Sequence, residues 1–124
     1  MAKKPFADKI HIPSAVLTPW PLPREIILEG SPVAAGLVLS KSIDARNVRG
    51  LWECTPGRFR WDFTYDETLV VVSGWATVTF DDGRSIELRA GDLAFFERGQ
   101  SVVWTVRELF RKGFHGDSPT PLPF

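Results

Sequence analysis

From residue 33 onward the apolar positions come in short bursts of four to seven residues, each closed by glycine, proline or acidic residues. The bursts fall at 33–39, 48–54, 59–63, 69–73, 76–80, 85–88, 93–96, 102–106 and 109–114. Thr55-Pro56-Gly57, Asp81-Asp82-Gly83 and Ala90-Gly91-Asp92 punctuate them, and Asp44-Ala45-Arg46-Asn47 supplies a further turn. Short strands at a spacing of about 8 to 12 residues between turn signals are the pattern of a β-sandwich or barrel. The pattern predicts an all-β architecture with no helix of any length.

The flanks read differently. Residues 1–32 lack periodicity and carry Pro5, Pro13, Pro19, Pro21 and Pro23. Proline fixes φ and offers no donor, so this arm is expected to be extended and laid over the surface or over a neighbouring subunit, with Trp20 as its anchor. Residues 116–124 hold three prolines and are expected to be loose. The barrel itself is assigned to residues 33–115, a single domain, because 124 residues leave no room for a second one.

Composition removes several function classes. Fifteen basic and fifteen acidic residues cancel, with no long run of either sign, so nothing forms an electrostatic footprint for nucleic acid or an anionic membrane. No apolar stretch approaches the length of about 20 residues that spans a bilayer, and the N-terminal residues lack a signal-peptide core. Cys54 is the only cysteine, which excludes an intramolecular disulfide and fits a reducing, cytoplasmic setting.

The chemistry concentrates between Trp61 and Gly74. Glu67 is followed by six residues and then Gly74, and a second glycine turn, Ala90-Gly91-Asp92, opens the run at 93–96. This pairing resembles the two motifs of the cupin superfamily, the first with two histidines, a glutamate and a glycine, the second with proline, glycine, histidine and asparagine. Trp52-Glu53, Phe59-x-Trp61, Tyr65-Asp66-Glu67-Thr68, Val72-Ser73-Gly74, Gly91-Asp92-Leu93, Trp104-Thr105-Val106 and Arg111-Lys112-x-Phe114 are similar to the single-domain cupins grouped with the (S)-ureidoglycine aminohydrolase cupin domain. The string from Trp61 to Glu67 also resembles the cupin domain of an ethanolamine-utilisation protein. The resemblance covers roughly residues 48–114. It implies a jelly-roll β-barrel, and it constrains activity much less, because one barrel hosts many chemistries.

The spacing of the family survives here while its ligands do not. A metal-binding cupin uses the two histidines and the glutamate of the first motif and the histidine of the second. Those histidine positions fall on Trp61, Phe63 and Val102, leaving Glu67 alone of four. Indole, phenyl and isopropyl groups cannot coordinate a divalent ion. The aminohydrolases bind their metal through a glutamate, histidines and a glutamine, a set equally missing at these positions. His11 and His115 lie outside both motifs, and Gln100 lies on the second-motif turn. No metal or other cofactor is expected.

Alternation along a strand puts Trp61 and Phe63 on one face, and Val102 and Trp104 on the inward face of a later strand. The barrel mouth is thus expected to hold Trp61, Phe63, Glu67, Val102 and Trp104, with Tyr65 beside them and Glu53 converging from the preceding strand. An aromatic pocket with one carboxylate suits a small polar metabolite, and a buried Glu67 is a candidate general acid or base. A carboxylate facing that interior needs a partner, and Arg60, Arg111 and Lys112 are the candidates. Cys54 has no activating neighbour and reads as a buried, inert thiol. The rival readings are a ureidoglycine aminohydrolase-like enzyme acting on a nitrogenous metabolite, and a degenerate cupin serving as a structural or sensor subunit. Edge strands of such a barrel invite pairing, and a homodimer is expected.

Overall fold

The structure is a computed structural model and describes residues 7–124. Among the described residues nine strands form one antiparallel sheet: β1 (Thr18–Pro19), β2 (Ile27–Glu29), β3 (Ala34–Lys41), β4 (Asn47–Cys54), β5 (Gly57–Asp62), β6 (Asp66–Phe80), β7 (Ser85–Arg89), β8 (Leu93–Phe96) and β9 (Ser101–Asp117). Two single 3-10 turns, Ile12–Ser14 and Arg24–Ile26, are the only helical residues described, and no helix is long and apolar enough to cross a membrane.

The long strands β6 and β9 pair along their lengths, and each changes its other neighbour part way. The first half of β9 carries β5, with Gly57 opposite Val106, and its second half carries β4, with Trp52 opposite Lys112. The first half of β6 likewise carries β8, and its second half carries β7. This exchange of partners curls the sheet around a core. The bend of β6 sits at Gly74, where φ is +90° and the register against β9 slips between Val71 and Ala76. A Cβ on Gly74 would come within 2.1 Å of the Leu109 carbonyl oxygen, so glycine alone lets the two strands touch there. The bursts at 69–73 and 76–80 are therefore one bent strand, and those at 102–106 and 109–114 are another. A glycine that bends a strand without breaking its ladder looks, in sequence, like a turn.

The core follows the period-2 alternation. Along β9, Val102, Trp104, Val106, Phe110 and Phe114 are buried, and they meet Leu69, Val71, Ala76 and Val78 of β6. Phe59 and Phe96 close the cluster from β5 and β8. Removing a fully buried ring such as Phe110 would cost about 3–5 kcal/mol.

From residue 7 onward the arm lies on its own barrel, and Pro5 lies outside the described residues. β1 adds to the edge of β3, with Thr18 opposite Gly36, and β2 adds to the edge of β5, with Ile27 opposite Phe59. Trp20 covers Gly36 so closely that a Cβ there would stand 1.8 Å from its ring. The prolines limit β1 to two residues, because Pro19 offers no second donor.

The segment expected to be loose is ordered. β9 runs on to Asp117, the Ser118 amide donates to the Arg46 carbonyl, and the Leu122 amide donates to the Ala45 carbonyl. Leu122 is buried, and Phe124 meets Trp20 edge-on at 5.1 Å. Prolines suppress regular structure, yet two apolar side chains with an aromatic surface to cover outweigh that tendency.

Candidate functional site

β9 positions the site. Its inward phase, which buries Val102, Trp104, Phe110 and Phe114, also carries Lys112. Trp52 lies opposite Lys112 on β4 and Phe59 lies opposite Trp104 on β5, and the two indoles flank a single ammonium. Nζ of Lys112 stands 4.8 Å from the centre of the Trp52 ring and 5.0 Å from that of Trp104. Both distances lie within cation–π range. Trp104 in turn stacks on Phe59 with ring centroids 6.4 Å apart and planes within 4°.

Lys112 ends on Glu67. Its ammonium bonds Oε2 of the carboxylate, and the Tyr65 hydroxyl donates to Oε1 at 3.3 Å. The side chains are only 9% and 4% exposed, so this is a desolvated pair rather than a surface one. Burial pushes the Tyr65 hydroxyl far above the ordinary phenol range, and the adjacent Glu67 charge pushes it the same way. Tyr65 is thus a neutral donor at physiological pH. Of the three cations expected to compete for Glu67, Arg60 turns outward to Asp81 and Arg111 to Glu53, and Lys112 takes the site.

Above the pair lies a cavity of about 170 Å³. Trp61, Phe63 and Tyr65 form one wall and Trp52, Phe59 and Trp104 another, while Trp20, Leu22 and their flanking prolines lean in from the arm and Phe124 from the chain's last segment. The polar atoms facing it belong to the Tyr65–Glu67–Lys112 group, with the indole edges around them. Phe63 is held by backbone bonds to Gly99 and Gln100 and stacks on Phe96 at 4.9 Å.

Five of the seven residues expected at the mouth therefore converge: Trp61, Phe63, Tyr65, Glu67 and Trp104. Two lie elsewhere. Val102 is inward, opposite Trp61 in the ladder, but it is fully buried in the core and does not line the cavity. Glu53 belongs to the opposite face. Strand alternation gives the inward place to Trp52, and Glu53 accepts from Arg111 at 2.8 Å, while Arg111 also donates to the Ile12 carbonyl. The missed residues were Trp52, Phe59 and Phe114 on the sheet, together with the arm and Phe124. Trp52 was within reach, since Val48, Gly50, Trp52 and Cys54 share a parity that Arg49 and Glu53 do not, although Leu51 interrupts the alternation. Nothing in the sequence announces Phe124.

Cys54 is buried, and burial pushes its thiol up to about 12 against a smaller opposing pull from Lys112. Its sulfur donates to the Thr55 carbonyl. It is no nucleophile.

The metal that barrels of this kind commonly hold does not fit these residues. Among the described residues no three His, Cys, Asp or Glu side chains gather closely enough to bind one. His115 bonds Asn47 at 2.9 Å, His11 bonds Ser14, and the Gln100 side chain accepts the Glu97 amide, all away from Glu67. The one carboxylate at the ligand position already faces an ammonium. A second cation there would meet like charge.

Known proteins place the chain. A family model described as an EutQ-like cupin domain matches residues 42–114. The structure is similar to the EutQ protein of Clostridium difficile, with a TM-score of 0.70 and 22% identity over 89% of this chain and 86% of that one. It is similar also to a Pseudomonas syringae protein of unknown function from the DUF861 family, with a TM-score of 0.76 and 23% identity. That alignment covers 83% of this chain and 45% of the Pseudomonas protein, so the chain spans under half of that relative's length. A Thermotoga maritima DUF861 protein is 33% identical over 52% of this chain and 73% of its own, with a TM-score of 0.51. No curated protein matches. With its jelly-roll sheet, its glycine corner and the family's pattern over most of its length, the chain belongs to the EutQ-like cupin domain family.

Proposed function

We propose that the domain binds, without a metal, a small planar ligand that is mostly apolar and carries one hydrogen-bond acceptor. The observation behind this reading is a cavity of about 170 Å³ whose aromatic walls converge on one ion pair. Apolar cavities of about 150 Å³ take up benzene. The volume thus suits a single ring with a small substituent, about eight heavy atoms. The sequence favoured a polar metabolite, but the walls favour an apolar body and confine polarity to one end. Because Lys112 and Glu67 neutralise each other, a neutral carbonyl accepting from the spare ammonium donors suits the site better than an ion of either sign.

At about 0.6 kcal/mol per heavy atom, eight atoms give roughly −5 kcal/mol, a Kd near 0.2 mM. Four of the five tryptophans, Trp20, Trp52, Trp61 and Trp104, line the cavity, so intrinsic fluorescence reports on it. Titration with benzamide should give saturable quenching in the sub-millimolar range. Binding should weaken about tenfold in the double variant Glu67→Leu/Lys112→Met, the loss of one hydrogen bond to a charged donor. Quenching that stays linear to about 10 mM would sink the reading.

A second reading, association, has its own observation. Among the described residues β8 pairs only with β6, and on that edge Leu93 is 75% exposed and Phe95 59% exposed, beside exposed Val70. An unpaired, apolar edge suits a second copy of the same chain, since antiparallel pairing across a two-fold axis would satisfy both edges at once. Leu93→Lys should then convert a dimer to a monomer in analytical ultracentrifugation. A wild-type protein that sediments as a monomer at about 100 μM would remove this reading.

A further inference from the structure

Lys112 is a primary amine at the base of a partly open aromatic cavity, in direct contact with a carboxylate. Of the lysines described, Lys9 and Lys41 are exposed and only Lys112 is buried. An amine set among apolar walls can meet a carbonyl carbon as a nucleophile once it is neutral, and the contacting carboxylate is a place for its proton. The cavity that Lys112 lines is walled mostly by aromatic side chains. We propose that Lys112 captures a small aromatic or unsaturated aldehyde as an imine. This deepens the ligand-binding reading and rests on it.

The step balances within the residues present. Glu67 takes one proton from the Lys112 ammonium and leaves the neutral amine. The amine lone pair attacks the carbonyl carbon, forming the C–N bond as the C–O π bond opens, and a proton passes from nitrogen to the oxygen to give a carbinolamine. Glu67 then gives its proton to the hydroxyl, which departs as water, and the nitrogen lone pair forms the C=N bond. The product is a protonated imine beside an ionised Glu67. One amine cation has become one iminium cation, so the charge that Glu67 requires persists. The Trp52 and Trp104 faces, 4.8 and 5.0 Å from Nζ, attract either cation. The Tyr65 hydroxyl holds Oε1 throughout, which leaves Oε2 for the proton transfers.

The arrangement also defines what is excluded. An aldehyde of about eight heavy atoms fills the cavity; a longer chain would have to displace Trp20 or Phe124, which pack against each other at 5.1 Å. Ketones place a second substituent against the indoles and are expected to react more slowly.

The test uses benzaldehyde with sodium cyanoborohydride at neutral pH, followed by peptide mass mapping, with benzamide quenching measured in parallel. A benzyl adduct confined to Lys112, suppressed by excess benzamide, is the expected result. Glu67→Gln should slow trapping about a hundredfold, the ordinary contribution of a positioned acid–base group. Should that variant fail to fold, protection of wild-type Lys112 by benzamide serves alone, since it needs no substitution. Adducts only on exposed lysines such as Lys9 and Lys41, with benzamide quenching intact, would overturn the imine and leave ligand binding standing. Absence of both adduct and quenching would remove both readings together.

Discussion

Replacing Lys112 with methionine keeps a long, flexible side chain and removes the charge. Glu67 would then be a carboxylate 3% exposed, with the Tyr65 hydroxyl as its remaining hydrogen-bond donor. Removing one partner of a buried pair costs about 3–5 kcal/mol, because the survivor keeps its desolvation penalty and loses its counter-charge. A domain of this size has a total stability of about 5–15 kcal/mol, so the loss is a large share of it. With an unfolding entropy of about 2.1 cal/mol/K per residue, 124 residues give roughly 0.26 kcal/mol/K, and a loss of 4 kcal/mol lowers Tm by about 15 °C. Adding Glu67→Leu removes the stranded carboxylate. The double variant should recover to within about 1 kcal/mol of the natural protein or exceed it, since apolar replacements of buried pairs are often neutral or stabilising. Urea titration followed by tryptophan emission supplies both numbers and the coupling between the sites. If Lys112→Met loses less than about 1 kcal/mol, water reaches the pair and the desolvated site is wrong. If the double variant is as unstable as the single one, the charges stabilise the fold rather than serving a ligand.

Other consequences can be measured separately. Gly74→Ala forces a Cβ into the left-handed region and within 2.1 Å of the Leu109 oxygen, and should cost more than about 3 kcal/mol in the same titration. Gly36→Ala collides instead with the Trp20 side chain, which can move aside; the expected result is faster amide exchange at Trp20, whose N–H donates to the Ala34 carbonyl, with little loss of global stability. Cys54 should resist a thiol reagent at pH 8 until the protein is unfolded. Its folded value near 12 exceeds the ordinary 9.0, so its contribution is complete below about pH 9 and is lost as pH climbs toward 12. Cys54→Ala should flatten that alkaline limb. Glu53→Gln weakens a partly exposed pair and should cost about 1 kcal/mol or less, leaving benzamide quenching unchanged.

Most of the sheet was legible because burial alternates with period 2 and turns carry their own chemistry. Asp81-Asp82-Gly83 closes a hairpin in which the Asp82 side chain accepts the Arg84 amide, as its composition implied. The strands that ran together were legible in part. Gly74 marks the place where the chain changes direction, but whether β6 stops there depends on whether β9 continues to pair with it. That is a long-range fact. The fate of Phe124 is another: a proline-rich stretch reads as loose until an aromatic surface exists for it to cover. β1 and β2 depended in the same way on sheet edges formed elsewhere.

The site shows where a motif helped and where it distracted. Counting along the family pattern found Trp61, Phe63 and Glu67, because spacing survives the loss of ligands. It also drew attention to the absent histidines and away from the strand that supplies the cation. Val102, Trp104, Val106, Phe110, Lys112 and Phe114 share one parity with the exposed Glu108, and Lys112 is the one buried charge in that phase. A lysine in phase with a buried apolar face needs a counter-charge inside the barrel, just as Glu67 needs one. Each residue alone is an anomaly, and each is the other's explanation. Glu67 is a family ligand position without a metal, and the Lys112 ammonium now supplies the positive charge that a metal would bring. That exchange trades a Lewis acid for an amine. On the proposed reading, that amine turns the barrel toward hydrogen bonding to, or covalent capture of, a carbonyl group.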